Sequence, residues 1–375
     1  MKVEISSIIC CMKVLIVFNH PAPYKVRLFN ALSKEIDLDV IFERKTAKDR
    51  PADFYVENKY DFNVMFLKRG EFGIENSNTS ELKKYIKDHH KEYDIILMNG
   101  YSRWTEMRAI RYMNKNHIPF VLYVNGGVIK KDNFFKRYLK KKFISSAKYY
   151  LSPSELASEY LIHYGAKKED IFLYNYSTIL DKDVLDKPLS DEEKKKYRKL
   201  YNLPEGKLFV SASQFIERKN VLQLLECFKG LEEQLVLIGE GPQKELYEKY
   251  IQENAMKNVQ IRDFMKRNDL FELYKGCDAF ITLSKEDIYG HTINEAMAKG
   301  LVVISSDNVV AASKLIEDGK NGFIVSLDKK ESIINCISSI STLSPNKALE
   351  VAKKNTLEVM VKDHIEIFKR IKEKK

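Results

Sequence analysis

Residues 278–307 read DAFITLSKEDIYGHTINEAMAKGLVVISSD and carry the pattern of a strand, a helix and a second strand. The apolar run DAFITLS (278–284) predicts a buried strand, and the loop after it turns at Gly290. We expect a helix from about Thr292 to Lys299, ended by Gly300, and then a strand at LVVISSD (301–307). This order is typical of a βαβ unit in a parallel sheet.

The same alternation of apolar runs and amphipathic stretches continues along nearly the whole chain. A polar segment near residues 181–200 separates two sets of strands. We therefore predict two doubly wound, Rossmann-like α/β domains at 12–185 and 186–350, and a C-terminal helix at 351–375. Ligands bind such sheets beyond the carboxyl ends of the strands, so we expect a site in those loops and a cleft between the domains. The predicted strands are KVLIVF (13–18), LDVIF (38–42), YDIILM (93–98), PFVLYV (119–124), AKYYLSP (147–153), KLFVSAS (207–213), EQLVLIGEG (233–241), NVQIRDF (258–264), DAFITLS (278–284) and LVVISSD (301–307).

The composition is that of a globular protein with a basic surface. Of the 375 residues, 44% are hydrophobic and 31% charged, and we find no apolar window of the roughly eighteen residues that a membrane span needs. The formal net charge of +10 suits nucleic acid, an anionic membrane surface or phosphorylated substrates. The start resembles a signal peptide only superficially, because it lacks a small-residue cleavage site and Met12 begins directly on a strand. We expect residues 1–11 to be a dispensable extension.

The cysteines and acidic pairs predict neither a disulfide framework nor a metal site. The five cysteines are an odd number without paired spacing, which indicates a reducing compartment, hence the cytoplasm. Asp37 and Asp39 match a D-x-D pattern, but they lie within or just before a predicted strand and we interpret them as incidental. No metal or other cofactor is expected.

Three acids flank the turn at Gly290, namely Glu286, Asp287 and Glu295. The start of the following helix offers free backbone N–H groups and the positive end of the helix dipole, which suit a phosphate. A carboxylate beside a bound diphosphate is unfavourable unless it accepts hydrogen bonds from hydroxyl groups. A nucleotide sugar meets this condition, because a hydroxyl-rich group lies on each side of its diphosphate. The alternative is simple helix capping, in which acids are favoured at any helix N-terminus.

Two further loops add candidates. Arg218 and Lys219 lie between the strand at 207–213 and a predicted helix, where paired cations suit a diphosphate leaving group. The alternative interpretation of a single Arg-Lys pair is a basic turn that faces solvent. Gly239 and Gly241 form a glycine turn between a strand and a helix, but a full G-x-G-x-x-G is missing.

Together, these stretches resemble the retaining glycosyltransferases of family 4, which have the GT-B fold. The resemblance covers residues 12–375 and is carried by four stretches in the family's order and spacing. It implies a UDP- or GDP-sugar donor in the second domain, no metal, and a C-terminal helix that crosses back to the first domain. The stretches are SQFIERKN (213–220), LVLIGEGP (235–242), EDIYGHTINEAMAKGLVVISSD (286–307) and IEDGKNGFIV (316–325).

The resemblance assigns roles to donor-side residues. Asp287, where the family usually has Glu, contacts the transferred sugar, Glu286 shares that role, and Glu295 holds the ribose. Lys219 matches the family's lysine on the donor phosphates. Gln214 stands where many members have Arg, and Arg218 compensates. The remaining implied donor contacts are the nucleobase pocket at Arg262 and Phe264, and the turn residues Gly290, His291, Thr292 and Ile293.

The first domain conforms less to the family. The loop NHPAPYKVRLFNAL (19–32) follows the first strand, where the family has an acceptor-facing loop, so His20 and Tyr24 are acceptor-side candidates. The stretch YVNGGVIKK (123–131) ends a strand where many members carry a histidine, and here Asn125, Gly126 and Gly127 stand there.

A basic stretch in the first domain, VIKKDNFFKRYLKKKFI (128–144), predicts a helix for a membrane surface. Seven lysines and arginines lie between Lys130 and Lys142, against Asp132 alone, and aromatic residues interleave at helical spacing. Such a helix suits an anionic membrane. The alternative packs the aromatic stripe into the core and leaves the lysines in solvent.

If the helix docks, the acceptor is a lipid-linked glycan at the inner face of the plasma membrane, and family analogy suggests capsule, exopolysaccharide or O-antigen synthesis in a bacterium. Three other functions stay open. One is a catalytically silent GT-B protein that supports a partner enzyme. A second is a nucleic-acid-binding protein, which we do not expect because the sequence contains no recognised nucleic-acid-binding motif. The third is a nucleotide-sugar epimerase of the same fold.

Overall fold

The computed structural model describes residues 12–46, 55, 59–68, 80–127, 129 and 131–374. The predicted extension at 1–11 and Lys130 of the basic stretch lie outside these residues. The chain divides into two compact units, one formed by the residues up to Tyr176 together with those from Leu357 on, and the other by Ser177–Thr356. We call them unit 1 and unit 2.

In unit 1 the described residues form a seven-stranded parallel sheet in the order β3-β2-β1-β4-β5-β6-β7. Strand β1 is an interior strand that lies between β2 and β4, with Val14 opposite Leu38 on one side and Ile95 on the other. The elements up to the end of β7 are β1 Lys13–Phe18, α1 Pro23–Leu32, β2 Asp37–Phe42, β3 Asn63–Phe66, α2 Glu81–His89, β4 Ile95–Met98, α3 Trp104–Lys115, β5 Val121–Tyr123, α4 Phe134–Ile144, β6 Tyr149–Ser152, α5 Glu155–His163 and β7 Ile171–Leu173.

In unit 2 the described residues form a six-stranded parallel sheet in the order β10-β9-β8-β11-β12-β13. Its elements are α6 Asp191–Leu200, β8 Leu208–Ala212, α7 Val221–Phe228, β9 Gln234–Ile238, α8 Lys244–Glu253, β10 Val259–Arg262, α9 Arg267–Tyr274, β11 Ala279–Thr282, α10 His291–Met297, β12 Val302–Ser306, α11 Val310–Leu315, β13 Gly322–Val325, α12 Lys330–Ser338 and α13 Pro345–Lys353. The last helix of the chain is α14, Leu357–Glu373.

Both sheets form because their strands are short apolar runs that are buried on two faces, as parallel strands require. Every residue of β8, β11 and β12 is buried. Helices on either side cover them, with Leu224 and Phe228 of α7 in the core of unit 2. The strand order reverses between β1 and β4 in unit 1, and between β8 and β11 in unit 2. Loops at the carboxyl ends of these neighbouring strands are where doubly wound sheets bind ligands.

The C-terminal helix α14 belongs to unit 1, as the resemblance implied. Its Asp363 accepts a hydrogen bond from the backbone N–H of Asn175 at 2.7 Å, and Lys372 lies 3.1 Å from Asp94. Buried His364 and Phe368 face the interior of the unit. The helix therefore adds a layer to the first sheet.

The division between the units falls after Tyr176, nine residues before the predicted boundary at 185/186. The side chains explain this difference. Asn294 donates to Ser177 Oγ at 3.2 Å, and Arg267 donates to Asp183 at 2.8 Å, so the segment between Ser177 and Asp183 is bonded to unit 2. Within the described residues, the structure contains no helix that is both long and apolar enough to cross a membrane.

Candidate functional site

The loops that follow β8 and β11 meet at the carboxyl edge of the second sheet. The backbone N–H of Lys285 donates to the carbonyl of Arg218 at 2.8 Å, and the Arg218 guanidinium donates to the carbonyl of Glu286 at 3.3 Å. Two stretches that are far apart in the sequence are thereby joined. The structure thus brings together four of the predicted donor-side residues, namely Arg218, Lys219, Glu286 and Asp287.

At the centre of this edge, Lys219 and Asp287 form a close ion pair. Lys219 Nζ lies 2.5 Å from Asp287 Oδ2, and the two side chains are 13% and 20% exposed. The backbone N–H of Asp287 donates to Asn308 O at 3.2 Å, which holds the acid in place. A partly buried pair of this kind keeps a cation and a carboxylate at one spot, reachable from solvent. The two residues were predicted to contact different parts of one ligand, and in the structure they contact each other.

Glu295 lies on α10, and its carboxylate is hydrogen-bonded to a residue at the start of unit 2. Thr178 Oγ1 donates to Glu295 Oε1 at 2.9 Å, and Arg267 Nε lies 3.9 Å from the same oxygen. Arg267 also donates to Asp183 at 2.8 Å. These contacts fix the position of the Glu295 carboxylate, although Thr178 and Arg267 were not predicted as site residues.

The turn before α10 has the conformation that its glycine permits. Gly290 has φ +96, and a Cβ there would overlap Val309. The helix begins at His291, whose ring lies 4.9 Å from that of Tyr289. Thr292 is half-buried, whereas Ile293 is fully buried. The predicted donor contact at Ile293 therefore cannot involve its side chain, because the side chain packs into the core.

The glycine turn after β9 packs against the loop after β8. Cβ atoms at Gly239 and Gly241 would overlap the carbonyls of Ser213 and Phe215, and the Phe215 N–H donates to Glu240 O at 2.8 Å. Both glycines are thus explained by the close approach of two loops. Gln214 lies between these contacts and is exposed.

The predicted nucleobase pocket follows β10. The Arg262 guanidinium donates to Asn202 O at 2.7 Å, so its side chain is bonded to the residues just after α6. Phe264 is exposed, and the preceding Asp263 pairs with Lys244 at 2.5 Å. Of the two predicted residues, Phe264 offers a free aromatic face.

The predicted acceptor-side residues lie after β1 and β5 in unit 1. The Nδ1 atom of His20 lies 3.1 Å from the hydroxyl of Tyr55. Asn125 donates to Asn99 Oδ1 at 3.0 Å, which ties the loop after β5 to the loop after β4. Tyr24 is half-buried, and so are Gly126 and Gly127.

Sequence reasoning missed a buried acid pair at the same edge of unit 1. Glu43 directly follows β2 and Glu106 lies in the first turn of α3, and both are buried. The Arg103 guanidinium donates to Glu43 at 3.3 Å, and its backbone N–H donates to Glu106 at 2.9 Å. Burial and the neighbouring Glu43 carboxylate raise the pKa of Glu106 to about 8. The available signal was that each acid comes shortly after a buried strand.

A second missed feature is Lys25, which is completely buried on α1. Its Nζ donates to the hydroxyl of Tyr123 at 2.8 Å and lies 4.2 Å from the ring centroid of Tyr176. Burial lowers the pKa of Lys25 well below its usual range. The periodicity of α1 puts this lysine on the buried side, but the aromatic neighbours come from distant parts of the chain.

The comparisons with known proteins find similarity to glycosyltransferases. Residues 193–359 match the model of the family Glycosyl transferases group 1. A bifunctional glycosyltransferase/methyltransferase of Fusobacterium nucleatum subsp. nucleatum is 28% identical over 252 residues, which are 60% of this chain and 38% of that protein. These matches support the group 1 glycosyl transferase family. The chain spans less than two thirds of the length of the curated relatives it matches.

Solved structures extend the likeness to both units. A glycosyltransferase from Rickettsia africae has a TM-score of 0.72 at 17% identity, covering 96% of this chain and 98% of that chain. Anabaena Alr3699/HepE, solved in complex with UDP and glucose, has a TM-score of 0.71 at 16% identity, covering 96% and 99%. At such identities the likeness concerns the fold. The predicted α/β class, with two Rossmann-like domains of GT-B type, is confirmed.

Proposed function

We propose that this chain is a retaining glycosyltransferase of family 4 that moves a sugar, a hexose in our proposal, from a UDP- or GDP-sugar to a hydroxyl acceptor. The observation that carries the proposal is the joining of the β8 and β11 loops around Lys219 and Asp287. A cation and a carboxylate at the carboxyl edge of a doubly wound sheet match the two needs of a nucleotide sugar, charge neutralisation and hydroxyl recognition. The donor thus belongs to unit 2.

In this proposal, the pair between Lys219 and Asp287 rearranges when the donor binds. The diphosphate competes for Lys219, since a charge-assisted hydrogen bond to phosphate is as favourable as one to carboxylate. Asp287 is then released to accept hydrogen bonds from the transferred sugar. Arg218 adds a second cation for the leaving diphosphate, whose developing charge such groups stabilise. Glu295, fixed by Thr178, accepts hydrogen bonds from the ribose.

The chemical step needs no carboxylate nucleophile in this proposal. The bond from the anomeric carbon to the phosphate oxygen breaks, and the bond to the acceptor oxygen forms on the same face of the sugar. The proton of the acceptor hydroxyl passes to the departing phosphate oxygen, as proposed for the family. The anomeric configuration of the donor is therefore kept.

We further propose that the acceptor is a lipid-linked glycan of cell-surface polysaccharide synthesis, reached at an anionic membrane by unit 1. The basic helix α4 supports this part of the proposal. A protein of similar fold, with a TM-score of 0.72 at 17% identity over 96% of this chain, is named the lipopolysaccharide outer core galactosyltransferase WaaB, and lipopolysaccharide is a lipid-linked glycan of the cell surface. His20, Tyr24 and the loop from Asn125 to Gly127 are the proposed acceptor contacts.

A second candidate is a catalytically silent GT-B protein that supports a partner enzyme. Two positions favour it: Gln214 is exposed where many family members have Arg, and Asn125 stands where many have His. A donor could bind such a protein without being turned over.

A transfer assay separates these two functions. The protein is incubated with radiolabelled UDP- and GDP-sugars and a lipid extract of a polysaccharide-producing bacterium, and label in the lipid phase is counted. We expect transfer with one nucleotide class, and NMR of the product should show the donor's anomeric configuration. An inverted product would contradict the retaining mechanism. Donor binding without transfer, in an assay where a known family member is active, would favour the silent protein.

A further inference from the structure

Helix α4 presents three large aromatic side chains to solvent. Phe134, Phe135 and Tyr138 are 88%, 69% and 53% exposed, whereas Phe143 and Ile144 at its other end are buried. With 3.6 residues per turn, Phe134, Tyr138 and Lys142 lie in one row on the outer face. The alternative, in which the aromatic stripe of this helix packs into the core, therefore holds for Phe143 but not for these three residues.

The same outer face is strongly basic. Lysines and arginines surround the aromatic rings, and Lys142 Nζ lies 5.8 Å from the ring centroid of Tyr138. Asp132, the acid of this stretch, is turned inward and its side chain is 2% exposed. The outer face therefore combines apolar rings with positive charge and shows no exposed acid. The exposed basic residues of this face are Lys131, Arg137, Lys141 and Lys142, and Lys136, also exposed, pairs with Asp132 at 3.5 Å.

The inner face holds the helix in this orientation. Asp132 accepts hydrogen bonds from Lys140 Nζ at 2.8 Å and from the hydroxyl of Tyr164. The Arg111 guanidinium lies 5.4 Å from the ring centroid of the buried Phe143. Rotating α4 to bury Phe134 would break these contacts and expose Phe143. The aromatic outer face is thus preformed in the folded unit.

The inner face also links α4 to the proposed acceptor loops. Lys140 Nζ lies 5.4 Å from the ring centroid of Tyr160, whose hydroxyl lies 2.5 Å from that of Tyr101 in the loop after β4. A Cβ at Gly127, in the loop after β5, would lie 2.7 Å from the Tyr160 ring. A short chain of packed groups therefore connects the outer helix with both loops.

We propose that the outer face of α4 docks on an anionic lipid bilayer, with Phe134, Phe135 and Tyr138 among the headgroups and the basic residues on lipid phosphates. Exposed aromatic rings inside a basic patch match the two attractions of a bilayer surface, apolar burial and anionic charge. A second copy of the chain fits less well, since its like charges would face this patch. Docking sets the loops after β4 and β5 at a fixed distance from the membrane.

Vesicle sedimentation tests this docking. The protein is spun with phosphatidylcholine vesicles that contain about one third phosphatidylglycerol, and with pure phosphatidylcholine vesicles. We expect binding to the anionic vesicles that weakens with salt. K141E/K142E should weaken it by at least about 30-fold, at about tenfold per 1.4 kcal/mol and roughly 1 kcal/mol per basic residue near the surface. F134S/F135S should weaken it about tenfold or more.

Helix α6 supplies matched controls. K195E/K196E changes the net charge by the same amount, and L200S removes an exposed apolar side chain, so both should bind vesicles as the wild type does. Equal effects from the α4 and α6 variants would overturn the proposal. The proposal would also be overturned if the protein bound pure phosphatidylcholine vesicles equally well, or if it bound RNA but no vesicles. It would likewise fall if F134S/F135S changed only self-association in sedimentation equilibrium.

The docking and the donor site fail independently. All four variants lie outside the predicted donor residues, so each should keep its melting temperature and its response to nucleotide sugars. If vesicle binding is missing while donor binding persists, the docking proposal falls and the proposed transferase stands. If vesicles bind but no nucleotide sugar does, the reverse holds.

Discussion

In unit 2 the loops after β8 and β11 join Lys219 to Asp287, whereas in unit 1 the segments after β2 and β4 contain a buried acid pair, Glu43 and Glu106. The first pair has opposite charges and stays partly exposed. The second pair has two acids, is buried, and is compensated by Arg103 at 3.3 Å. The two sheets share one strand order around their reversal point, but the two pairs lie on different segments, after β8 and β11 in unit 2 and after β2 and β4 in unit 1.

The contrast separates a site that can exchange partners from one that cannot easily do so. A partly exposed ion pair of opposite charges can exchange its carboxylate for a ligand phosphate without leaving the cation unpaired. Removing one partner from a buried charged cluster leaves the others desolvated, which is strongly unfavourable. We therefore expect substitutions in unit 2 to change ligand binding more than stability, and substitutions at the acids of unit 1 to do the opposite.

The largest effect is expected for Lys219→Met, which removes the cation from the proposed diphosphate. Loss of a group that stabilises developing charge typically lowers turnover by about 10²–10³-fold. The measurement is kcat/KM for transfer from the active nucleotide sugar. Lys285→Met is the matched control, because Lys285 lies in the same joined loops but pairs at the surface with Glu217 at 3.3 Å. If Lys219→Met keeps the activity of this control, Lys219 does not stabilise the leaving diphosphate, and the contrast drawn for unit 2 is wrong.

A smaller effect is expected for Glu295→Ala. Losing a hydrogen bond from a charged group costs roughly 1.5–3 kcal/mol, so donor affinity should fall by about one to two orders of magnitude in calorimetry. Thr178→Val is the control that removes the bond to Glu295 and keeps the carboxylate. If this variant loses as much affinity as Glu295→Ala, the carboxylate acts only by joining Thr178 to α10.

The smallest effect is a pH-dependent stability change from Glu106→Gln in unit 1. Because the pKa of Glu106 is raised to about 8, the folded state keeps a proton that the unfolded state loses above its usual pKa. Wild-type stability should therefore fall as the pH rises from roughly 4.3 towards 8. The neutral amide removes this loss, and we expect the variant to gain about 1–2 kcal/mol near pH 8, since Glu43 titrates together with Glu106.

Calorimetric melting at pH 5 and near pH 8 measures this gain. The difference in melting temperature between the variant and the wild type should be small at the lower pH and grow towards the higher one. Glu159→Gln, a change at an exposed glutamate of α5, should not separate from the wild type at either pH. A constant offset between Glu106→Gln and the wild type would show that burial does not hold the proton on Glu106.

The sequence predicted most of the fold because its central strands are continuous apolar runs. All ten predicted strands overlap strands of the structure. The unpredicted strands are β3, β7 and β13. In β3 three of the four residues are exposed, and β7 has only three residues. Edge strands bury less apolar surface, so their hydrophobic signal is weak.

The sequence predicted at which edge of the sheet the candidate site lies, but not the contacts between its residues. The rule that ligands meet the carboxyl ends of strands located Lys219 and Asp287 in loops at that edge. Their pairing depends on which strands are adjacent, and β8 and β11 are separated by two other strands in the chain. The contact from Thr178 to Glu295 joins residues 117 positions apart, which periodicity cannot show. The assigned roles of these residues stay predictions.

One measurement tests the central claim most directly: thermal melting of the wild type and Glu295→Ala with UDP-, GDP-, ADP- and CDP-sugars. A ligand that binds only the folded state raises the melting temperature by mass action. We predict a rise with one nucleotide class in the wild type and a smaller rise, or none, in Glu295→Ala. If no nucleotide sugar raises the wild-type melting temperature, while a known family member responds in the same assay, the proposed donor site is contradicted.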